Sequence, residues 1–438
     1  MVTIPRLVIA APASGSGKTT VATGLMAALR ARGLEVSGHK VGPDYIDPGY
    51  HELASGRPRR NLDPFLCGAE QTVPLFLHGA DRADIAVVEG AMGMFDGADP
   101  ALEAGEAGFA STAHVARLLS APVVLVVDAA RAGRSVAALV EGFARFDPRT
   151  PVAGVILNKV ASDRHERLLR EALTVPVFGV IRRTGEIVTP ARHLGLIPAG
   201  ERRNAASEAV DRMGVLIAKS CDIDGLLALA RTAPPLPGPA WEAAPGNGHG
   251  KHNGTIAIAG GAAFTFGYTE QREQLEASGL TVAEFDPLTD EDLPAGTTGV
   301  IVGGGFPELH AEGLAANEKL RARMREFTGP VVAECAGLLY LATALDGHPM
   351  CGVIDATATM TPKLTLGYRR ATATRDSVTS RTGQIVHAHE FHRTAITPAG
   401  DAWGPAGGYA TGTVTASYLH VHWAGYPEFA HRFAKAAG

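Results

Sequence analysis

Residues 232–254 read T-A-P-P-L-P-G-P-A-W-E-A-A-P-G-N-G-H-G-K-H-N-G, a stretch that neither a helix nor a strand can absorb. Each proline fixes φ and removes a backbone donor, and the glycines and polar residues after Trp241 loosen the remainder of the stretch. On both sides the pattern is the same: short, almost wholly apolar runs alternate with stretches of helical periodicity. With 438 residues, too many for one core, the chain is expected to form two α/β domains joined by a linker. The expected boundaries are 1–231, 232–253 and 254–438.

In the first part the expected strands are 6–10, 35–40, 85–89, 123–128, 152–158 and 177–180. A helix over 18–32 is closed by Gly33, where a left-handed turn costs least. After the linker, strands are expected at 255–259, 282–285, 299–302 and 331–334. One helix is expected near 268–278 and another between the last two strands. The final stretch, richer in Thr and aromatics, reads as extended strands and turns. Apolar strands of this kind suit a parallel sheet covered on both faces, so each half is expected to be doubly wound.

An apolar content of 46% and a charged content of 19% place the chain among globular proteins. The formal net charge of −5 argues against a nucleic-acid partner. Cys67, Cys221, Cys335 and Cys351 show no metal-ligand spacing. No apolar run reaches the ~18 residues of a membrane span. Met-Val-Thr-Ile-Pro-Arg leads straight into a strand, without a charged-then-apolar leader. The expectation is a cytoplasmic protein with reduced thiols and neither membrane nor nucleic acid as partner.

The first chemical motif is Ala11-Pro-Ala-Ser14-Gly15-Ser16-Gly17-Lys18-Thr19-Thr20, between the first strand and the first helix. A standard phosphate loop opens on glycine where this chain has Pro12, but the physics survives. Gly15 and Gly17 let backbone N–H groups turn towards phosphate, Lys18 adds positive charge at a helix N-terminus, and the Thr19 hydroxyl suits Mg²⁺. Ser14, Ser16 and Thr20 complete the cradle, and ATP is the expected ligand. Asp44, Asp47, Glu89 and Asp96 lie near strand ends on the side where open α/β sheets bind ligands, with Asp47 and Glu89 as candidate metal ligands. Asn158, closing V-I-L-N, is a candidate for the adenine.

The second motif is Ala333-Glu-Cys335-Ala-Gly337, again after an apolar strand. A cysteine on a tight strand-to-helix turn reads as a nucleophile whose thiol pKa the helix lowers. The N–H of Ala336 is one expected oxyanion donor and Gly304, in Gly303-Gly-Gly-Phe-Pro-Glu308, the other. His420 and His422 alternate along an expected strand and share one face, so one of them supplies a base. Together with His387, His389 and His392 they are alternatively a zinc site.

These segments resemble the cobyrinic acid and hydrogenobyrinic acid a,c-diamide synthases. The resemblance rests on His39-Lys-Val-Gly-Pro-Asp-Tyr-Ile-Asp-Pro48, Val88-Glu-Gly-Ala-Met-Gly-Met-Phe-Asp-Gly97, Arg192-His-Leu-Gly-Leu196 and Gly303-Gly-Gly-Phe-Pro-Glu308. It continues through Ala333-Glu-Cys335, Leu366-Gly-Tyr-Arg369, His389-Glu-Phe-His392 and Ser417-Tyr-Leu-His420. It implies a dethiobiotin-synthetase-like ATP domain and a class I, triad-type glutamine amidotransferase domain of flavodoxin-like α/β fold.

The implied reaction amidates the a and c carboxylates of a corrin ring through acyl phosphates, with ATP, Mg²⁺ and L-glutamine, in cobalamin biosynthesis. By the same resemblance Cys335 attacks glutamine and His420 is its base. His422 falls where the family of amidotransferases has the acidic third member. Lys40 lies near the transferred phosphoryl, and Asp44, Tyr45, Asp47, Glu89 and Asp96 match positions tied to metal and substrate carboxylates. A homodimer is an open expectation. The alternatives are a nickel-sirohydrochlorin a,c-diamide synthase, a cobyric acid synthase-like enzyme, or a partitioning-type ATPase with a degenerate second domain.

Overall fold

The computed structural model describes residues 1–102, 106–183, 191–192, 195–243 and 253–438. Part of the Arg192-His-Leu-Gly-Leu196 motif and most of the glycine-rich end of the linker lie outside these residues. The chain divides into two compact units, Met1–Glu242 and Ala243–Gly438. Residues 232–242 pack on the first unit, with Leu236 bridged to Val2 and the Trp241 N–H bonded to the Pro74 carbonyl.

In the first unit seven strands form one sheet: β1 (Arg6–Ala10), β2 (Val36–Val41), β3 (Asn61–Leu62), β4 (Ile85–Glu89), β5 (Val123–Asp128), β6 (Val152–Val160) and β7 (Val177–Arg182). Their order is β3-β2-β4-β1-β5-β6-β7, and every pairing is parallel. β1, β2 and β4 are buried along their whole length, as helices on both faces require. α1 (Lys18–Ala31) follows the phosphate loop, and α2 (Asp47–Ser55) opens with Pro48 in its first turn, where the missing N–H costs nothing. The phosphate loop, Asp44, Asp47 and Glu89 thus meet at the carboxyl ends of β1, β2 and β4.

The second unit holds β8 (Thr255–Ala259), β9 (Thr281–Phe285), β10 (Thr297–Val302) and β11 (Val331–Glu334), followed by α3 (Ala336–Leu341). A long hairpin, β12 (Thr357–Thr372) with β13 (Ile385–Thr397), comes next, then β14 (Tyr409–Thr411) and β15 (Val414–Ser417). The main sheet runs β9-β8-β10-β11-β15-β14, parallel except at its β14 edge. Its first four strands have the flavodoxin-like order. Alternate residues feed two cores: Ala257, Val300, Val302 and Ala333 on one face, and Ile256, Ile301 and Val332 on the other.

Two expectations about the tail are corrected. It ends in a helix, Pro427–Ala437, whose Phe429, Ala430, Phe433 and Ala434 are buried at helical spacing. His420 and His422 do not share a strand, because β15 stops at Ser417. His420 pairs with His389 through a single bridge, whereas His422 caps the 3-10 turn Trp423–Gly425.

Candidate active site

In the first unit the phosphate loop is open to solvent at Ser14 and Gly15, and Gly15 and Gly17 both have positive φ, 78° and 102°. Gly17 tolerates no side chain, since a Cβ there would lie 2.2 Å from Asn158 Nδ2. The Ser16 hydroxyl bonds back to the Ala13 carbonyl at 2.9 Å. Lys18 is buried, and its ammonium donates to the Met92 carbonyl at 2.6 Å and the Ala13 carbonyl at 3.4 Å. Burial, helped by the nearby Lys40, pushes Lys18 down to about 8, against the pull of Glu89, Asp47 and Asp96.

Beside it stands a cluster built on Lys40, whose Nζ donates to Asp47 at 2.6 Å and Glu89 at 2.9 Å and lies 3.7 Å from Asp44. Burial opposes the charge on Lys40, but Asp47, Glu89 and Asp44 outweigh it and raise the lysine above its ordinary value. The Thr19 hydroxyl donates to Glu89 Oε1 at 2.6 Å and contacts Asp47 Oδ2 at 3.2 Å. Burial, Asp44 and Glu89 hold the Asp47 carboxyl well above its usual range, against the pull of Lys40. Glu89 is also buried, yet Lys40 and a hydrogen bond with His51 depress it.

His51 is a residue that the sequence motifs did not single out. Its Nε2 lies 2.6 Å from Glu89 Oε2, and both side chains are buried. The signal was available in its place four residues after Asp47, which puts both on one face of α2.

The other expected residues of this unit have loop-building contacts. Asp44 Oδ1 accepts from the Ile46 and Asp47 N–H groups, and Asp96 Oδ2 accepts from Gly93 N–H at 2.8 Å. Tyr45 is buried. The Thr20 side chain is half-buried at the start of α1. Asn158 donates to the Ser16 carbonyl at 2.9 Å, tying its amide to the phosphate loop, and accepts from the Lys159 N–H of its own strand.

In the second unit Cys335 sits between β11 and α3 with φ 52° and ψ −102°. This backbone region is costly for any residue with a Cβ and lifts the side chain out of the strand's alternation. The thiol donates to the Phe391 carbonyl at 3.5 Å. The expected lowering of its pKa is corrected: burial, with Glu308, Glu334 and Glu390 nearby, pushes the thiol up to about 12, against a hydrogen bond from Ala336 N–H. The thiol is therefore protonated at neutral pH and needs a base to act.

His420 is buried against Gly304, where a Cβ would come within 2.4 Å of its ring. It exchanges backbone hydrogen bonds with His389 at 2.9 and 3.0 Å. Burial, then His389 and His392, push its imidazole down to about 3. Its Nδ1 lies 3.7 Å from Glu334 Oε2, and burial pushes that carboxyl up to about 8.

His422 turns elsewhere. Its ring stacks on Tyr268 at 4.1 Å, and its Nε2 lies 3.6 Å from the buried Glu270. The expectation that His422 fills the third place of the triad is thus corrected, because the 3-10 turn after it carries the side chain into the core.

The oxyanion expectation at Gly304 is also corrected. Its N–H donates to the Phe266 carbonyl at 3.1 Å and its own carbonyl accepts from Phe266 N–H at 3.0 Å. Ala336 keeps its N–H turned to the sulfur of Cys335.

The zinc alternative finds no support in the geometry. Among the described residues no three His, Cys, Asp or Glu side chains are arranged to hold a metal ion. His392 stacks on Tyr418 at 3.7 Å, and the His387 N–H donates to the Tyr426 hydroxyl. Among the described residues no helix is long and apolar enough to cross a membrane.

Comparison with known proteins covers both units. Residues 7–197 match the CobQ/CobB/MinD/ParA nucleotide binding domain, and residues 255–427 match the CobB/CobQ-like glutamine amidotransferase domain. The chain is 55% identical to hydrogenobyrinate a,c-diamide synthase of Streptomyces coelicolor, over 99% of this chain and 97% of that protein. It is 50% identical to the protein of the same name from Thermobifida fusca, with the same coverage of both chains. Cobyrinate a,c-diamide synthase of a Synechococcus is 41% identical over 98% of each chain.

Proposed function

The chain belongs to the a,c-diamide synthase family of ATP-dependent, glutamine-using ligases, and from that membership we propose that it converts the a and c carboxylates of hydrogenobyrinic acid to amides. We assign the ATP chemistry to residues 1–231 and the glutamine chemistry to 254–438. The observation that carries the reading is the pairing, in one chain, of the Lys18–Lys40 phosphate site with a cysteine on a strained strand-to-helix turn. A partitioning-type ATPase would have no use for that cysteine.

A carboxylate repels nucleophiles and has a poor leaving group, so ATP first converts it to an acyl phosphate. Lys18 and Lys40 offset charge on the transferred phosphoryl. Thr19, Asp47 and Glu89 form an all-oxygen donor set suited to Mg²⁺, which keeps waters and takes one or two carboxylates beside the phosphates. That ion would neutralise phosphate charge, and Lys40 donates to the same two carboxylates. Asp44, Tyr45 and Asp96 lie on the loops around this cluster and orient the substrate carboxylates.

Ammonium is not nucleophilic at neutral pH, so ammonia is released at Cys335. The Cys335 sulfur bonds to the glutamine carboxamide carbon as its proton passes to His420. The C–N bond then breaks, His420 returns the proton to the departing ammonia, and water hydrolyses the thioester to glutamate. The N–H of Ala336 faces the developing oxyanion. The chemistry is that of a soluble cytoplasmic enzyme whose substrates are small molecules.

The choice of the metal-free ring is supported by identity: the hydrogenobyrinate enzymes match at 55% and 50%, the cobyrinate enzyme at 41%. Supplied side by side with ATP, Mg²⁺ and glutamine, hydrogenobyrinic acid is expected to give the diamide much faster than cobyrinic acid, read by mass spectrometry. A faster reaction of cobyrinic acid would reverse the assignment of the ring.

A further inference from the structure

We propose that Glu334 is the residue that positions His420 for glutamine hydrolysis, occupying the role that His422 leaves open. The proposal rests on the reading of Cys335 and His420 as nucleophile and base. Glu334 directly precedes the nucleophile on β11, and its register partner on β15 is Ser417. The Cys335 N–H donates to the Ser417 carbonyl at 2.8 Å, so β11 and the segment leading to His420 are held in one register. Beyond β15, Val421 N–H reaches Glu334 Oε1 at 3.5 Å, and Glu334 Oε2 stands 3.7 Å from His420 Nδ1.

In a regular strand Glu334 and Cys335 would address opposite faces. The positive φ of Cys335 ends that alternation at the nucleophile, so neighbouring residues can serve one imidazole. With Nδ1 turned to Glu334, Nε2 is the nitrogen left to take the thiol proton. The imidazolium that results is buried beside His389 and His392, both of which oppose its charge. A carboxylate at Nδ1 offsets that cost, and a separation that is long in the resting enzyme shortens as the charge forms. As the imidazolium forms, the Glu334 carboxylate accepts a hydrogen bond from Nδ1–H and takes up no proton in the step.

Glu308 and Glu390 also lie near Cys335, but Glu390 is engaged by Arg369 at 2.7 Å, whereas Glu334 Oε2 stands 3.7 Å from His420 Nδ1. Because burial holds the Glu334 carboxyl near 8, its accepting form gains ground as pH rises through that value. The groups facing this pair are Cys335, His389, His392, Glu308 and the Arg369–Glu390 pair.

The test compares glutamine hydrolysis by the full chain with that of Glu334→Gln and Glu334→Asp. For Glu334→Gln, kcat is expected to fall about 10- to 100-fold with KM within about twofold. The rise of kcat through pH 8 is expected to disappear in this variant, while amidation with ammonium chloride is unchanged. Glu334→Asp, which keeps the charge, is expected to recover part of kcat and the rise. A Glu334→Gln kcat within about twofold of the parent overturns the proposal. So does equal impairment of both variants, or a joint change of kcat and KM with lost ammonia-dependent turnover. Glutamine hydrolysis by Cys335→Ser at the parental rate would instead overturn the underlying reading of the nucleophile.

Discussion

Cys335→Ser is expected to lose about a thousandfold or more of glutamine-dependent amidation while amidation driven by ammonium salts stays near the parental rate. The serine hydroxyl is far less acidic than a thiol, and its site is already hostile to anions. Burial and the carboxylates of Glu308, Glu334 and Glu390 hold even the thiol at about 12. His420, pushed down to about 3, is too weak a base to ionise an alcohol there. External ammonia bypasses this step, because nothing in the Lys18–Lys40 site depends on the sulfur. Product formation from glutamine and from ammonium chloride, measured on one preparation, checks the split. Equal loss of both activities would place Cys335 in the folding of the chain rather than in its chemistry.

Lys18→Ala is expected to abolish both activities, by about a thousandfold, and to leave glutamine hydrolysis within a few-fold when no acceptor is present. The Lys18 ammonium is buried and donates to the Met92 and Ala13 carbonyls, and burial with Lys40 pushes it down to about 8, so an added anion is what favours its charged form. A triphosphate supplies that anion. Without Lys18 the phosphoryl group would face only Lys40, which Asp47 and Glu89 already hold. Equilibrium dialysis with labelled ATP separates lost binding from lost transfer. Retained ammonia-dependent turnover would falsify the assignment of Lys18 to the phosphoryl site.

Much of this architecture is legible in the order of the residues. The apolar runs at 6–10, 85–89 and 331–334 are each followed by a glycine-containing turn and form strands with those limits, since a strand buried on both faces has a composition that solvent would not tolerate. The phosphate loop is legible for the same local reason. The features that escape a reading of the residues depend on contacts between distant segments. His51 meets Glu89 only because α2 packs over β2, the neighbour of β4, and Glu334 meets His420 only because β15 pairs with β11. The thiol pKa runs opposite to expectation because a helix N-terminus is visible in sequence, whereas burial and three converging carboxylates are not. Gly304 is a reasonable oxyanion donor until Phe266, outside the motif, takes its N–H.

A conformation at φ 52° and ψ −102° costs on the order of 1–3 kcal/mol in any residue but glycine, and Cys335 bears it because its sulfur must stand at the head of α3. A descendant of this gene that took ammonia directly would be released from that demand. Glycine at this one position would then relieve the backbone strain while ending glutamine use. In a set of related genomes, glycine at the position of Cys335 would mark the copies that have given up glutamine without losing their shape.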